Sequence, residues 1–350
     1  MRVLLVCDRS AGHIFPALSI GEKIKKEAET MVDSKGFNKK VYFFATAPFL
    51  RRYIENSGFA VVGKSFSNRN LIIECSWRLF EALYILIIFR PDRVIGFGGR
   101  DSFFLVLFSS LFGTKTAIYE PNIKFGKANK VLTIFVRAIF RGFPINKKEK
   151  NAKVIGIPLR KNIKKIDKGK ARQILNFSSK PVIFCLGGSQ GSHLLNCLFM
   201  RFVSELEGGY QIIHLTGRKD YHQVSDFYGK LKINNFVKDF YYNIEVLYSA
   251  CDVIVSRAGA NTLGEISFFN IPAVLIPHVG GGNHQKDNAL YFQKKDAAFV
   301  CTKEKTLFEE FSRKLNILLK DCSVNRKMKA NLSKMELGVE FKKFSSSIDY

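Results

Sequence analysis

The decapeptide SRAGANTLGE, Ser256 to Glu265, follows the β-branched run CDVIV and opens a helix-like segment. A strand-to-helix turn presents backbone N–H groups and the positive end of a helix dipole, both of which suit phosphate. Arg257 adds a cation, Asn261 and Thr262 add short polar groups, and Glu265 adds a carboxylate able to accept hydrogen bonds from paired hydroxyls. A second turn of the same kind is LGGSQGS, residues 186–192, where glycines permit close backbone approach and Ser189 offers a hydroxyl. A tight turn chosen for packing explains those glycines equally. In NHQKDNA, residues 283–289, Gln285 and Asn288 lie three apart and share a helical face, with amides suited to sugar hydroxyls. His284 beside them reads as a helix cap, with no ligand set around it for a metal.

The first half of the chain carries a different set. In AGHIFPALSI, His13 precedes a helix expected to begin near Phe15 and Pro16. A histidine at the mouth of a cleft can take a proton from a hydroxyl near neutral pH; a polar cap is the plain alternative. GFGGRDS (96–102) and YEPN (119–122) end two further strands, the latter with Glu120 and Asn122 at the strand terminus, where ordinary turn chemistry also accounts for them. The sequence contains no D-x-D for a nucleotide-bound divalent metal. No metal and no cofactor is expected. A departing pyrophosphate would have to be stabilised by amides, helix dipoles and arginine.

These motifs need strands and helices to hold them. Short β-branched or aromatic runs are expected as strands over 2–7, 41–45, 93–97, 115–119, 152–155, 181–186, 211–215, 236–240, 252–255 and 272–276. Helix-like stretches, among them 15–29, 71–89, 191–206 and 285–294, lie between most of them. This alternation predicts an α/β protein with parallel sheets, whose ligands bind in loops beyond the carboxyl ends of strands. The polar segment around 147–170 reads as an interdomain region, after which the pattern restarts. The simplest architecture is two Rossmann-like, doubly wound domains facing across a cleft. A length of 350 residues accommodates two such domains.

The formal net charge is +25, with 25 basic and 12 acidic side chains in residues 1–150 and 30 and 18 in the remainder. An anionic partner fits that excess: nucleic acid, acidic lipid or a phosphorylated substrate. No basic tail of the nucleic-acid-binding kind is present, and a solvated lysine-rich surface explains the same excess. Seven scattered cysteines without C-x-x-C suggest reduced thiols in the cytoplasm and no zinc framework. The longest apolar runs, LYILIIF and FFLVLF, fall well short of the ~18–20 residues a membrane span requires. Residues 71–90 are nonetheless unusually apolar for a surface helix. They hold Trp77 with Arg78 beside it and Arg90 at the end, a composition able to lie in a lipid interface or to be buried against a sheet.

Taken in order, AGHIFPALSI, GFGGRDS, YEPNIKFGKANK, GIPLR, LGGSQGSHLLN, SRAGANTLGE and NHQKDNA resemble the successive signatures of the MurG family of glycosyltransferases, from residue 2 to about residue 300. The resemblance implies a GT-B fold and inverting, metal-independent transfer of N-acetylglucosamine from UDP-GlcNAc to the muramyl 4-hydroxyl of lipid I, the undecaprenyl-pyrophosphoryl-MurNAc-pentapeptide. The product is lipid II. It implies a peripheral enzyme at the cytoplasmic face of the cell membrane, with an anionic membrane surface and other cell-wall synthesis proteins as partners and no nucleic acid. Residues 1–155 would form the acceptor-binding, membrane-associating domain, with 335–350 packing back on it, and 156–334 the donor-binding domain.

By the same resemblance, Glu265 would bind the ribose hydroxyls, and Arg257 and the turn Ala260, Asn261, Thr262, Leu263 and Gly264 would face the diphosphate and sugar. Gln285 and Asn288 would read the sugar hydroxyls. Ser189 and Gln190 would sit by phosphate, backbone near Tyr241 by the uracil edge, and Arg160 would meet the nucleotide from the interdomain side. Ser10, Ala11, Gly12 and Asn122 would line the diphosphate and reacting hydroxyl, with His13 as first choice for general base and Glu120 as second. The family's usual first loop, G-G-T-G-G-H, is here Asp8-Arg9-Ser10-Ala11-Gly12-His13, so the donor loops match better than the acceptor loops. Related readings are a family 28 transferase with another lipid-linked acceptor and an epimerase of the same fold. A basic nucleic-acid-binding protein would leave the polar strand-end loops unexplained.

The missing D-x-D yields a direct expectation. Sugar transfer should survive excess EDTA unchanged, whereas abolition by EDTA with rescue by Mg²⁺ would show a metal taking the charge of the leaving group.

Overall fold

The computed structural model describes residues 1–8, 11–35, 40–64, 70–144, 151–278 and 283–339. The chain divides into two compact units, one formed by Met1–Arg160 together with the chain from Val339, the other by Lys161–Gly338. The first unit contains β1 (Arg2–Val6), α1 (Ala11–Lys35), β2 (Lys40–Phe44), α2 (Pro48–Asn56), β3 (Ala60–Val62), α3 (Leu71–Tyr84), β4 (Arg93–Gly96), α4 (Arg100–Leu111), β5 (Lys115–Glu120), α5 (Lys127–Leu132), β6 (Ala138–Arg141), β7 (Ala152–Val154) and β8 (Ile157–Pro158). The second unit contains α6 (Lys168–Ile174), β9 (Val182–Leu186), α7 (His193–Ser204), β10 (Gln211–Leu215), α8 (Tyr221–Gly229), β11 (Asn235–Lys238), α9 (Ile244–Ala250), β12 (Val253–Ser256), α10 (Ala260–Phe269), β13 (Ala273–Leu275), α11 (His284–Lys294), β14 (Phe299–Val300), α12 (Leu307–Lys320) and α13 (Cys322–Ser333). The last short strand, β15 (Gly338–Val339), pairs with β8, and the Leu159 N–H donates to the Val339 carbonyl at 3.0 Å.

Each unit is built on a parallel sheet. The first has strand order β3-β2-β1-β4-β5-β6-β7 and the second β11-β10-β9-β12-β13-β14. Strands covered on both faces read as unbroken apolar runs, and RVLLV and VIFCL do so. Alternation along β1 still divides its side chains. Val3 and Leu5 join a core with Ile14, Ile20 and Ile24 of α1, while Leu4 and Val6 join the opposite core with Ala82 of α3 and Val106 of α4.

In both sheets the strand order reverses beside the first strand of the unit, between β1 and β4 and between β9 and β12. Connections leave these neighbouring strands for opposite faces, so their loops diverge and open a crevice at the carboxyl ends. Among the described residues, the loops at those points are residues 7–8 and 97–99 in the first unit and 187–192 and 257–259 in the second. They are the glycine-rich and polar stretches singled out in the sequence.

Two elements differ from expectation. Helix α1 begins at Ala11 rather than near Phe15, so His13 lies in its first turn and Pro16 lies inside the helix. Proline in the second turn forfeits the one backbone bond it would have donated to the Gly12 carbonyl. Helix α3 ends at Tyr84 and Ile85–Phe89 continues as a π-helical turn, closed by Arg90 in the left-handed conformation (φ 49°). Of the C-terminal segment expected to return to the first domain, residues 340–350 lie outside the described residues; Val339 packs against the first unit's core.

Candidate active site

In the first unit, His13 is half-buried and its Nδ1 is buried with no partner among the described residues. Burial lowers the proton affinity of the imidazole, and the carboxylates of Asp8 and Glu120 offset this only in part, so the ring is held below its ordinary value. It is therefore neutral, and a base, at neutral pH. A Cβ placed on Gly98 would lie 3.5 Å from His13 Nε2 and 3.2 Å from Asn129 Nδ2, so these groups are immediate neighbours. Gly98 and Gly99 adopt φ of 88° and 93°, and a Cβ on Gly99 would overlap the Asp8 carboxyl; glycine is required on both grounds.

Glu120 ends β5 and is buried. Its Oε1 accepts from the Asn122 N–H at 3.1 Å and Asn122 Nδ2 at 3.0 Å, and its Oε2 accepts from the Gly126 N–H at 2.9 Å and Asn129 Nδ2 at 3.0 Å. Four donors on one carboxylate fix the loop from Pro121 to Gly126 and occupy the lone pairs of Glu120. Arg141, also buried, braces the same loop through the Ile123 carbonyl (2.5 Å) and the Phe125 ring (4.0 Å). Ser10 lies outside the described residues. Ala11 and Gly12 form the first positions of α1, beyond the carboxyl end of β1. Arg160 stacks its guanidinium over Phe15 of α1 at 4.9 Å.

In the second unit, Ser189 and Gln190 are exposed at the tip of the loop after β9. A Cβ on Gly191 would overlap the Thr216 carbonyl, and one on Gly217 would come within 2.6 Å of the Gly191 Cα, so the loops after β9 and β10 meet backbone to backbone. The turn after β12 places Arg257 half-buried, with no carboxylate partner among the described residues. Burial pulls its proton affinity down, yet a guanidinium stays charged, so an anion is its natural complement. Helix α10 starts at Ala260 with Gly259 at its cap and Asn261 and Thr262 partly exposed. Leu263 is wholly in the core and Gly264 is buried, so each can offer a ligand only backbone.

Glu265 accepts from the Tyr248 hydroxyl at 2.7 Å, and Tyr248 stacks on Phe269 with ring centroids 5.1 Å apart. The carboxylate is thus oriented before any ligand arrives. Asn288 is completely buried and its Nδ2 donates to the Ala258 carbonyl at 3.3 Å; Gln285 Oε1 accepts from the His278 N–H at 3.0 Å. Both amides brace loops of the crevice. Tyr241, after β11, packs edge-on against Phe236 at 5.2 Å. Nothing in the sequence marks Asn129, Arg141 or Tyr248, whose roles arise from partners 9, 18 and 17 residues away with no local motif.

Two doubly wound units, each with glycine-rich and polar loops at its switch point, have the architecture of the GT-B fold. The chain matches the glycosyltransferase family 28 N-terminal domain over residues 5–141 and the family 28 C-terminal domain over residues 182–345. It is 30% identical over 358 residues to the UDP-N-acetylglucosamine–N-acetylmuramyl-(pentapeptide) pyrophosphoryl-undecaprenol N-acetylglucosamine transferase of Thermoanaerobacter sp. (strain X514), covering 96% of this chain and 95% of that protein. The crystal structure of Acinetobacter baumannii MurG superposes with a TM-score of 0.75 at 21% identity, over 97% of this chain and 95% of that one. A UDP-N-acetylglucosamine 2-epimerase shares the fold at a TM-score of 0.64 and 12% identity, over 95% and 90%. The chain belongs to the MurG family of N-acetylglucosamine transferases.

Glu265→Ala should weaken UDP binding at least tenfold by calorimetry, from loss of charge-assisted hydrogen bonds worth ~1.5–3 kcal/mol each. Because Tyr248 would also lose its acceptor, Tyr248→Phe is the control: it should keep most of the affinity. Unchanged UDP affinity in Glu265→Ala would remove this carboxylate from the nucleotide site.

Proposed function

We propose that this protein transfers N-acetylglucosamine from UDP-GlcNAc to the muramyl 4-hydroxyl of undecaprenyl-pyrophosphoryl-MurNAc-pentapeptide, giving lipid II for peptidoglycan synthesis. The likeness to the Thermoanaerobacter transferase across 96% of the chain carries this reading. His13 takes the proton of the acceptor hydroxyl, and the freed oxygen attacks the anomeric carbon. The bond from that carbon to the UDP oxygen breaks, configuration inverts, and UDP leaves with the electron pair. Charge growing on the diphosphate is met by Arg257, by the first amides of α10 and by the loop after β9. Glu265 holds the ribose, and Glu120 keeps Asn122 and its loop in place.

The acceptor's prenyl chain stays in the bilayer, so the enzyme works at the membrane; UDP-GlcNAc sets the cytoplasmic face. Among the described residues no helix is long and apolar enough to cross a membrane. Helix α3 suits a peripheral contact because its polarity is inverted. Glu74, Arg78 and Glu81 are buried: Glu81 pairs with Arg78 (2.5 Å) and accepts from the Lys64 N–H (2.5 Å), and Glu74 pairs with Arg100 (2.8 Å). Ile72, Phe80, Tyr84, Ile87 and Ile88 are exposed, Ile72 by 77% and Ile87 by 62%. Arg78 thus faces inward rather than flanking the apolar face as a lipid-contacting cation, and Trp77 is half-buried. An exposed apolar strip backed by the buried Arg78–Glu81 pair and the buried Glu74 carboxylate is the reverse of an ordinary surface helix and fits a lipid interface.

Radiolabelled UDP-GlcNAc and lipid I in detergent should yield a labelled lipid, and absence of product under conditions that bind UDP would reject the reading. His13→Ala should lower turnover by ~10²–10⁴-fold while UDP affinity stays within twofold. Turnover within threefold of wild type would place the base elsewhere.

Co-sedimentation with phosphatidylglycerol vesicles should weaken with salt and weaken further in Ile87→Glu, whose exposed site tolerates a charge in the folded protein. Full vesicle binding by folded Ile87→Glu would clear the apolar strip of α3 and its π-helical continuation of the anchoring role.

A further inference from the structure

The first unit holds a carboxylate that the proposed reaction has not used. Asp8 follows β1, where the family's loop ordinarily has glycine, and is only partly exposed. Among the described residues its side chain makes no hydrogen bond or ion pair. It packs on Gly99, at the turn whose neighbouring Gly98 lies against His13 Nε2. Two groups of complementary chemistry, an uncompensated carboxylate and an imidazole with an unpartnered buried nitrogen, therefore flank one Gly98–Gly99 turn.

We propose that Asp8 is a positioning residue for His13: its negative charge keeps the imidazole basic enough to take the acceptor proton and stabilises the imidazolium that results. The inference rests on His13 being the base. A buried histidine alone makes a weak base, because desolvation opposes the charged form it must adopt in the transition state. The groups facing His13 from the surrounding elements are Asp8 after β1, Glu120 at the end of β5, Asn129 of α5 and the Gly98 turn after β4. Glu120 spends its charge on four hydrogen-bond donors, and Arg100, one residue beyond Gly99, is paired with Glu74. Both carboxylates act on the ring, and Asp8 is the one with no hydrogen-bond donor of its own among the described residues; Arg9 and Ser10 lie outside the described residues. During the step the hydroxyl proton moves to His13, the new glycosidic bond forms, UDP departs, and His13 then releases the proton to water.

The sign of the effect is definite. Asp8 raises the proton affinity of His13, so replacing it with a neutral isostere lowers that affinity. The acid limb of kcat/KM, which reports the base of the free enzyme, should move to lower pH in Asp8→Asn. The plateau should fall roughly 3- to 30-fold, a part of the ~10²–10⁴ that loss of the base itself costs. Asp8→Glu, which restores the charge, should return the limb towards wild type. The His13 ring signal, titrated by NMR in the substrate-free full-length protein and assigned by its loss in His13→Gln, should show a lower midpoint in Asp8→Asn than in wild type. Unaltered UDP affinity and melting temperature would confirm folding. An unmoved His13 midpoint in folded Asp8→Asn overturns the proposal, as does a reduced plateau with the acid limb in place. Wild-type turnover in His13→Gln would instead sink the base assignment, while the NMR midpoint still decides whether Asp8 acts on the ring.

Discussion

Everything the molecule does at its loops depends on a constraint of parallel sheets. A strand can be followed by a parallel neighbour only through a crossover, and where successive crossovers leave for opposite faces, two loop ends are forced apart. This happens once in each unit, beside β1 and beside β9. Backbone donors at the helix starts there cannot be covered by the adjacent loop. They become a place for anions without any special side chain, and the arginine, carboxylate and amide groups refine what is already an electrostatic preference. The glycines serve this arrangement: Gly191 against Thr216 and Gly217 brings two loops closer than side chains would permit.

A second theme is the division between groups that meet the ligand in our reading and groups that hold those groups still. Glu120, Asn129, Arg141, Tyr248, Gln285 and Asn288 belong to the second set by their hydrogen bonds. Their partners are largely backbone atoms of loops or the side chain of a neighbouring polar residue. Such bonds are strong when satisfied and expensive when broken in a buried setting, which explains why so much polar chemistry sits below the surface of both crevices.

The fold was legible because buried strands announce themselves. The runs RVLLV, KTAIYE, VIFCL and QIIHL stand out by their apolar continuity, and the strands formed where they were expected. The strands β3, β8 and β14 escaped notice because two or three residues carry no measurable period, and β6 because AIFR merges into the apolar segment before it. The site was legible as a set of loops but not as a division of labour. Glu120 and Asn288 have the right chemistry for a hydroxyl-bearing ligand, and nothing in their neighbours reveals that one is saturated with donors and the other fully enclosed. The inverted polarity of α3 was hidden for the same reason: composition shows that the helix is apolar, while only the partners of Glu74 and Glu81 show which side faces in.

The bond from Asn288 to the Ala258 carbonyl joins α11 to a turn thirty residues earlier. The arginine turn and α11 are therefore tied into one structural element by a buried side chain. Affinity measured at that turn is then a product of two quantities, the intrinsic strength of the contacts and the fraction of molecules in which the element is assembled. A substitution at position 288 acts on the second factor. It would imitate lost sugar recognition while leaving every sugar-contacting atom in place, and it would weaken nucleotide and nucleotide-sugar in equal proportion.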